Sequence, residues 1–120
     1  MSKFMIRQVS SGVKFDLHSP NGQVIATSEV YESMAYCRKG IEAARKNAPA
    51  AKLEDQTQAH SNLTNPKFEL YQDRAGAFRF RLRSRNGKII AVSDGYSTKA
   101  AALSGLESVR KNAADAALEA

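Results

Sequence analysis

Asn86-Gly87-Lys88-Ile89-Ile90-Ala91-Val92-Ser93-Asp94-Gly95-Tyr96 restates, 65 positions later, the stretch Asn21-Gly22-Gln23-Val24-Ile25-Ala26-Thr27-Ser28-Glu29-Val30-Tyr31. Laying residues 15–48 on residues 80–113 gives 16 identities in 34 pairs. A repeat at fixed offset makes the chain two copies of one supersecondary unit, and this decides the architecture before any single element is read.

Outward from Asn21-Gly22, the local signals are those of a meander followed by a helix. Asn-Gly between two apolar runs predicts a hairpin, of type I′ because that turn suits φ > 0 at both central residues. Upstream, Val13-Lys14-Phe15-Asp16-Leu17-His18 alternates with period 2, which puts Val13, Phe15 and Leu17 on one strand face. Residues 4–9 read as an earlier strand, turned by Ser10-Ser11-Gly12, and residues 24–27 as a third. After Tyr31 the period changes to that of a helix, with Met34, Cys37, Ile41, Ala44 and Ala48 in one stripe. Glu32 or Ser33 is the expected N-cap, and Pro49 lies where a helix must already have ended. Residues 51–56 suggest a short fourth strand, and 57–66 are polar and linker-like.

The second copy repeats this order. Its expected strands lie at 68–72, 77–83 and 88–92. Ser97 or Thr98 should cap a helix whose stripe is Ala102, Leu106, Val109 and Ala113, and residues 116–119 should close the unit. The offset grows from 64 at Phe4/Phe68 to 65 at Phe15/Phe80, so one residue is inserted near 77–79 and must be absorbed by a longer turn or a bulge. The predicted organisation is repeat one over 1–58, a linker at 59–66 and repeat two over 67–120. Neither half has apolar residues enough for a comfortable core alone. The fold class that follows is α+β: two tandem β3-α-β repeats in one pseudo-two-fold antiparallel sheet, both helices on one face, like a homodimer fused into one chain.

Phe68-Glu69-Leu70-Tyr71, Phe78-Arg79-Phe80-Arg81-Leu82, Asn86-Gly87, Ile89-Ile90-Ala91, Gly95-Tyr96-Ser97 and residues 105–113 closely resemble the YegP-like family of small bacterial proteins, over nearly the whole chain. The resemblance implies a tandem β3-α-β fold whose units exchange their C-terminal strands, carrying Leu53 and Leu118 away from their own meanders. It implies no activity, because the family has no assigned catalytic residues. Copy one departs from the pattern at Glu32, Met34, Tyr36 and Cys37, and Asp16 interrupts its basic strand.

The chain has 120 residues, with 42% hydrophobic and 25% charged, as expected of a globular domain. Its net charge is +6, carried by 8 Lys/Arg against 6 Asp/Glu in residues 1–58 and 10 against 6 in residues 59–120. No apolar run approaches the roughly 18 residues of a membrane span. Ser2-Lys3-Phe4-Met5-Ile6-Arg7 puts charge where the apolar part of a signal peptide would stand. With Cys37 as the single cysteine, a reduced, cytoplasmic setting is the expectation.

One candidate site emerges. Arg79, Arg81 and Arg83 alternate with Phe78, Phe80 and Leu82, and Arg85 follows at the turn. With the apolar residues turned to the helices, the arginines stand in a row about 6.6–6.8 Å apart on the other sheet face. Tyr71 can share that face as a stacking ring, so Tyr71, Arg79, Arg81, Arg83 and Arg85 form a candidate anion or single-stranded nucleic-acid surface. The competing expectation is that Glu69 and Asp73 pair with these arginines across the ladder. Glu42/Lys46 and Glu107/Lys111 read as i,i+4 pairs on solvated helix faces. Mid-helix Gly40 and Gly105 suggest close approach of each helix to the sheet. His18, His60 and Cys37 lack metal-ligand spacing, and no nucleotide-binding or catalytic motif is present, so no metal, cofactor or catalytic residue is expected. The expected role is a non-catalytic protein-interaction module, a monomer with an internal pseudo-dimer, working through an uncovered sheet face. The alternative is nucleic-acid binding through the arginine row.

Overall fold

The computed structural model describes residues 1–119. Strands β1 (Lys3–Val9), β2 (Gly12–His18) and β3 (Val24–Thr27) form the first meander, followed by α1 (Met34–Asn47) and β4 (Lys52–Asp55). Strands β5 (Lys67–Gln72), β6 (Phe78–Arg83) and β7 (Ile89–Val92), helix α2 (Lys99–Asn112) and β8 (Ala117–Glu119) repeat the order. All eight strands join one sheet in the order β4-β5-β6-β7-β3-β2-β1-β8. The halves meet at the centre, where Thr27 of β3 pairs with Val92 of β7.

The sheet is mixed, which corrects the antiparallel expectation. Strand β4 runs parallel to β5, and β8 parallel to β1, so each repeat's last strand edges the other repeat's meander. The connection explains the direction. Parallel neighbours in sequence need a crossover of about a dozen residues, and residues 56–66 supply nearly that between β4 and β5. Both edge strands are short, and Leu53 and Leu118 remain 36% and 37% exposed at the rims.

Alternation places the core. Phe4 and Ile6 of β1 stand opposite Leu17 and Phe15 of β2, and Phe68 and Leu70 of β5 opposite Leu82 and Phe80 of β6, all on the helix side. Phe4 meets Phe15 edge-on at 5.5 Å, and Phe68 meets Phe80 in the same way at 6.1 Å. On α1 the buried residues are Cys37, Gly40, Ile41 and Ala44, while Met34 is 37% exposed and stands outside the stripe expected of it, because it is the first helical residue. On α2, Ala102, Leu106 and Val109 enter the core as expected, with Gly105. Ser33 and Thr98 are the N-caps, accepting from the amides of Tyr36 and Ala101. Each satisfies one of the amides that a helix start leaves without a partner.

Two turns differ from their sequence reading. In Ser19-Pro20-Asn21-Gly22 only Gly22 has positive φ, and its amide donates to the Ser19 carbonyl at 2.9 Å. This is a type I turn with a glycine bulge, favoured by Pro20 at its second position, rather than type I′. Ser84-Arg85-Asn86-Gly87 repeats the same geometry. The inserted residue of copy two lies in the β5–β6 turn, where the Asp73 carboxylate accepts from the amides of Ala75 and Ala77, both at 2.9 Å.

Gly40 and Gly105 are explained by the tyrosine that follows each third strand. The Tyr31 ring stacks on Phe15 at 6.3 Å and presses its hydroxyl end onto Gly40, and Tyr96 does the same between Phe80 and Gly105. The helix thus approaches an aromatic ring rather than the sheet backbone.

Candidate functional site

The arginine row exists, but it is paired. Arg79, Arg81 and Arg83 project from the β6 face opposite the helices, as Tyr71 does from β5. Arg79 Nε donates to Asp73 at 2.7 Å, and the Nε atoms of Arg81 and Arg83 both donate to Glu69 Oε1, at 2.6 and 2.7 Å. The Arg81 guanidinium also lies over the Tyr71 ring, 4.6 Å from its centre. Burial pushes the Glu69 carboxyl up, but the two guanidinium hydrogen bonds outweigh it and hold the group below the usual carboxylate range. Asp73 is held low chiefly by Arg79. Of the two expectations for this face, the cross-ladder pairing is the one the structure shows.

Nor is the face open in this half. Glu54 of β4 pairs in register with Glu69 and is 1% exposed. It accepts from Lys67 Nζ at 2.8 Å, from Gln56 Nε2 at 2.6 Å and from the Leu63 amide at 2.6 Å. These bonds place part of the 56–66 connection across the sheet face that sequence reasoning left uncovered. Lys67 further reaches Glu69 at 3.4 Å. The Lys67 bond, followed by those from Gln56 and Leu63, pulls Glu54 down to about 2. A buried anion needs such partners, since unpaired it would lose its charge or the fold. In copy one Asp16 is held by Arg7 Nε and Thr27 Oγ1, each at 2.7 Å.

Arg85 belongs elsewhere. It occupies the β6–β7 turn and faces α1 across a groove of about 940 Å³. From α1 come Tyr36, Lys39, Gly40, Ala43 and Lys46; from the turn and β7 come Arg85, Lys88 and Ile90; Val30 and Tyr31 also line it. The spacing 36, 39/40, 43, 46 is one helical face, so the groove runs along α1 for about 15 Å. Tyr36 is half exposed, and the Lys39 ammonium lies 5.6 Å from its ring centre. Burial pushes the Tyr31 hydroxyl's pKa up, and that hydroxyl lies against Gly40. Sequence reasoning assigned Arg85 to the wrong surface, because a turn residue has no face in a strand's alternation.

The pseudo-two-fold operation carries this groove onto a second one of about 580 Å³ between α2 and the β2–β3 turn. Every residue lining the second is the 65-offset equivalent of one lining the first. The frame is shared: Tyr31/Tyr96, Gly40/Gly105, Ile90/Ile25, Ser84/Ser19 and Asn86/Asn21. The rims are not. Arg85, Lys88, Tyr36 and Lys39 of the first groove stand where the second has Pro20, Gln23, Ala101 and Ser104. Comparing the two copies for charge rather than for identity would have shown this from sequence alone.

Other charged side chains make contacts within and between the elements. Glu42 pairs with Arg45 at 3.2 Å and Glu107 with Arg110 at 3.1 Å, both i,i+3, rather than with Lys46 and Lys111. Arg45 lies over the Phe4 ring and donates to the Ala114 carbonyl, while Arg110 lies over Phe68 and donates to the Ala51 carbonyl, so each helix holds the segment that follows the other. Lys99 of α2 holds Asp55 of β4 at 2.6 Å. Cys37 is fully buried and burial pushes its thiol up, away from the thiolate a nucleophile needs. Among the described residues no cluster of His, Cys, Asp and Glu could hold a metal ion, and no helix is long and apolar enough to cross a membrane.

Both repeats carry the groove and a Phe-Tyr-Gly stack. The family described as "Domain of unknown function (DUF1508)" matches twice, over residues 10–55 and 73–119. The chain belongs to this family. A UPF0339 protein of Pseudomonas aeruginosa is 30% identical over 118 residues, 98% of this chain and 94% of that one. A UPF0339 protein of Treponema denticola is 60% identical over 52 residues, 43% of this chain but 90% of its own length, so that relative is about one repeat long. The solution structure of YegP from E. coli, described as a protein of unknown function, superposes with a TM-score of 0.80 at 28% identity, covering 98% of this chain and 90% of that one. These relatives carry no activity in their names, and the shared fold leaves function to be read from surfaces.

Proposed function

We propose that this DUF1508 protein is a non-catalytic interaction module that receives a partner macromolecule in the groove along α1. The observation that carries the reading is the divergence of the twin grooves. One backbone frame is built twice, and only the first copy lines it with exposed cations and a half-exposed tyrosine. Arg85, Lys88, Tyr36 and Lys39 are exposed where the twin has Pro20, Gln23, Ala101 and Ser104, so core packing does not account for the difference. The organisation into repeats at 1–58 and 67–120 supports the same view, since a fused pair is free to specialise one surface while the other keeps the fold. The arginine row is the weaker candidate for nucleic acid, because its cations are committed to Glu69 and Asp73 and one face of Tyr71 is covered by Arg81.

The test is site-specific photo-crosslinking in cells that express the chain. A photoreactive phenylalanine analogue replacing Tyr36 should give a discrete macromolecular adduct, and the same analogue replacing Ala101 in the twin groove should not. Equal labelling from both positions, or none from position 36, overturns the reading.

A further inference from the structure

We infer that the occupant of the α1 groove is an acidic, extended polypeptide segment carrying apolar side chains, an inference that rests on the groove reading above and names its ligand. Three observations converge. The rim carries Arg85, Lys88, Lys39 and Lys46, all exposed, and none of them forms an ion pair among the described residues. Against them the lining has two carboxylates, Glu32 and Glu42, and Glu42 already faces Arg45 at 3.2 Å. By contrast, the Glu54–Lys67–Glu69–Arg81–Arg83 network gives each of its basic side chains a carboxylate partner. Here they are left free, which is the electrostatic form of a surface waiting for anions.

The floor points to polypeptide. Ile90, Ala43, Tyr31 and the ring of Tyr36 offer apolar and aromatic contact beneath the charged rim. About 15 Å of groove accommodates four to five residues of extended chain at about 3.3 Å each, whose alternate side chains point down to the floor and up to the rim. Single-stranded nucleic acid would need successive open rings for base stacking, whereas Tyr31 is stacked on Phe15 with its hydroxyl end against Gly40, which leaves the free face of Tyr36 alone. A carboxylate-bearing segment needs only the free ammonium and guanidinium groups and a place for its apolar side chains.

The twin groove supplies both the control and a safe set of substitutions. Arg85→Pro, Lys88→Gln, Lys39→Ser and Tyr36→Ala convert the first groove into residues that the second already carries on the same backbone. The probe is a fluorescein-labelled nonapeptide alternating Glu with Leu and Phe, titrated by anisotropy into the full chain and mapped by amide chemical shifts. Expected are shifts confined to α1 and the β6–β7 turn, with binding that weakens as salt rises. The fourfold variant, folded by its amide spectrum, should bind at least about tenfold more weakly. A Lys-for-Glu peptide should not bind. Shifts that map to the twin groove or to the arginine face overturn the inference. So does an oligo-dT 12-mer that binds the groove while the acidic peptide does not. Failure of the peptide together with a protein adduct from position 36 overturns the acidic chemistry while leaving the groove in place, and failure of both overturns the groove as well.

Discussion

A Cβ added to Gly40 would fall 2.6 Å from the ring carbon of Tyr31 that bears the hydroxyl, closer than real atoms approach. The ring cannot easily retreat, because it stacks on Phe15 at 6.3 Å. Gly105 stands in the same relation to Tyr96, with Phe80 closing the other side at 3.3 Å. Glycine in mid-helix costs about 1 kcal/mol against alanine, so its use at both positions means that the ring contact outweighs that cost.

Gly40→Ala is therefore expected to destabilise the protein, by about 1–3 kcal/mol from overpacking, despite its gain in helix propensity. In a Tyr31→Ala background the same change should become neutral or stabilising. Thermal unfolding of the four members of this cycle gives the coupling, and additive effects would show that the tyrosine is not what excludes the side chain.

Leu106 is fully buried at the centre of the α2 stripe, and Leu103 is only partly so. Leu106→Ala should cost about 2–5 kcal/mol, the range for truncating a buried leucine, and Leu103→Ala clearly less. Denaturant midpoints compared with the parent decide it, and equal losses would put the helix face in error.

The sign of the acid response follows from Glu54. Its carboxyl is held at about 2 in the folded protein against an ordinary 4.5. A depressed carboxylate contributes stability that is fully present above the ordinary value and is lost as pH falls toward the folded one. Unfolding free energy should thus decline between about pH 4.5 and 2. In Glu54→Gln the decline over that window should be shallower, with a lower stability at neutral pH because Lys67 loses a buried partner. A parallel pH profile for the variant would contradict the assignment.

The limits of legibility have physical causes. Period-2 alternation in 13–18 and 78–83 and the stripes of both helices were readable because burial on one face forces periodicity. The turn type was missed because Asn-Gly suggests I′ while Pro20 one residue earlier imposes type I, a competition settled by φ of proline. The edge strands β4 and β8 were only weakly marked, since three or four residues with a partly exposed leucine carry little pattern. Their parallel direction was hidden, because direction is set by where the chain returns rather than by composition. Of the candidate face, the arginines' orientation was readable and their pairing was one of two open outcomes. The covering of that face by 56–66 was not, as nothing in a polar linker announces that Leu63 will donate to a buried glutamate.

That covering changes what removal of the arginines should do. Arg81→Ala with Arg83→Ala strips Glu69 of both guanidinium partners, leaving a carboxylate that is 5% exposed with Lys67 and Gln56 alone. The pair should destabilise the fold by up to about 3 kcal/mol, below the full cost of orphaning a buried charge because the arginines are partly solvated. Adding Glu69→Gln should recover part of the loss. Short oligonucleotides titrated at low and moderate salt should bind the parent and these variants alike. A large, salt-dependent loss in a variant that is still folded would restore the nucleic-acid role to this face.

The exchanged edges give the last prediction. In residues 1–58 alone, β1 has no β8 on its outer side and β4 has no β5 to lie against. With β3 also parted from β7, such a half leaves three strands without a cross-repeat partner and half a core, too little for a stable small domain. Two copies, however, can satisfy each other, the β4 of one lying parallel to the β1 of the other, as β8 does here. The relative from Treponema denticola, nearly all of whose length is spanned by a match of 52 residues, shows that chains of this size exist. The isolated half is therefore expected to sediment as a homodimer whose melting temperature rises with concentration, or else to be unfolded. A monomeric half with a sharp, concentration-independent melt would mean that each repeat folds without the other's strand, and the exchange would then be incidental to stability.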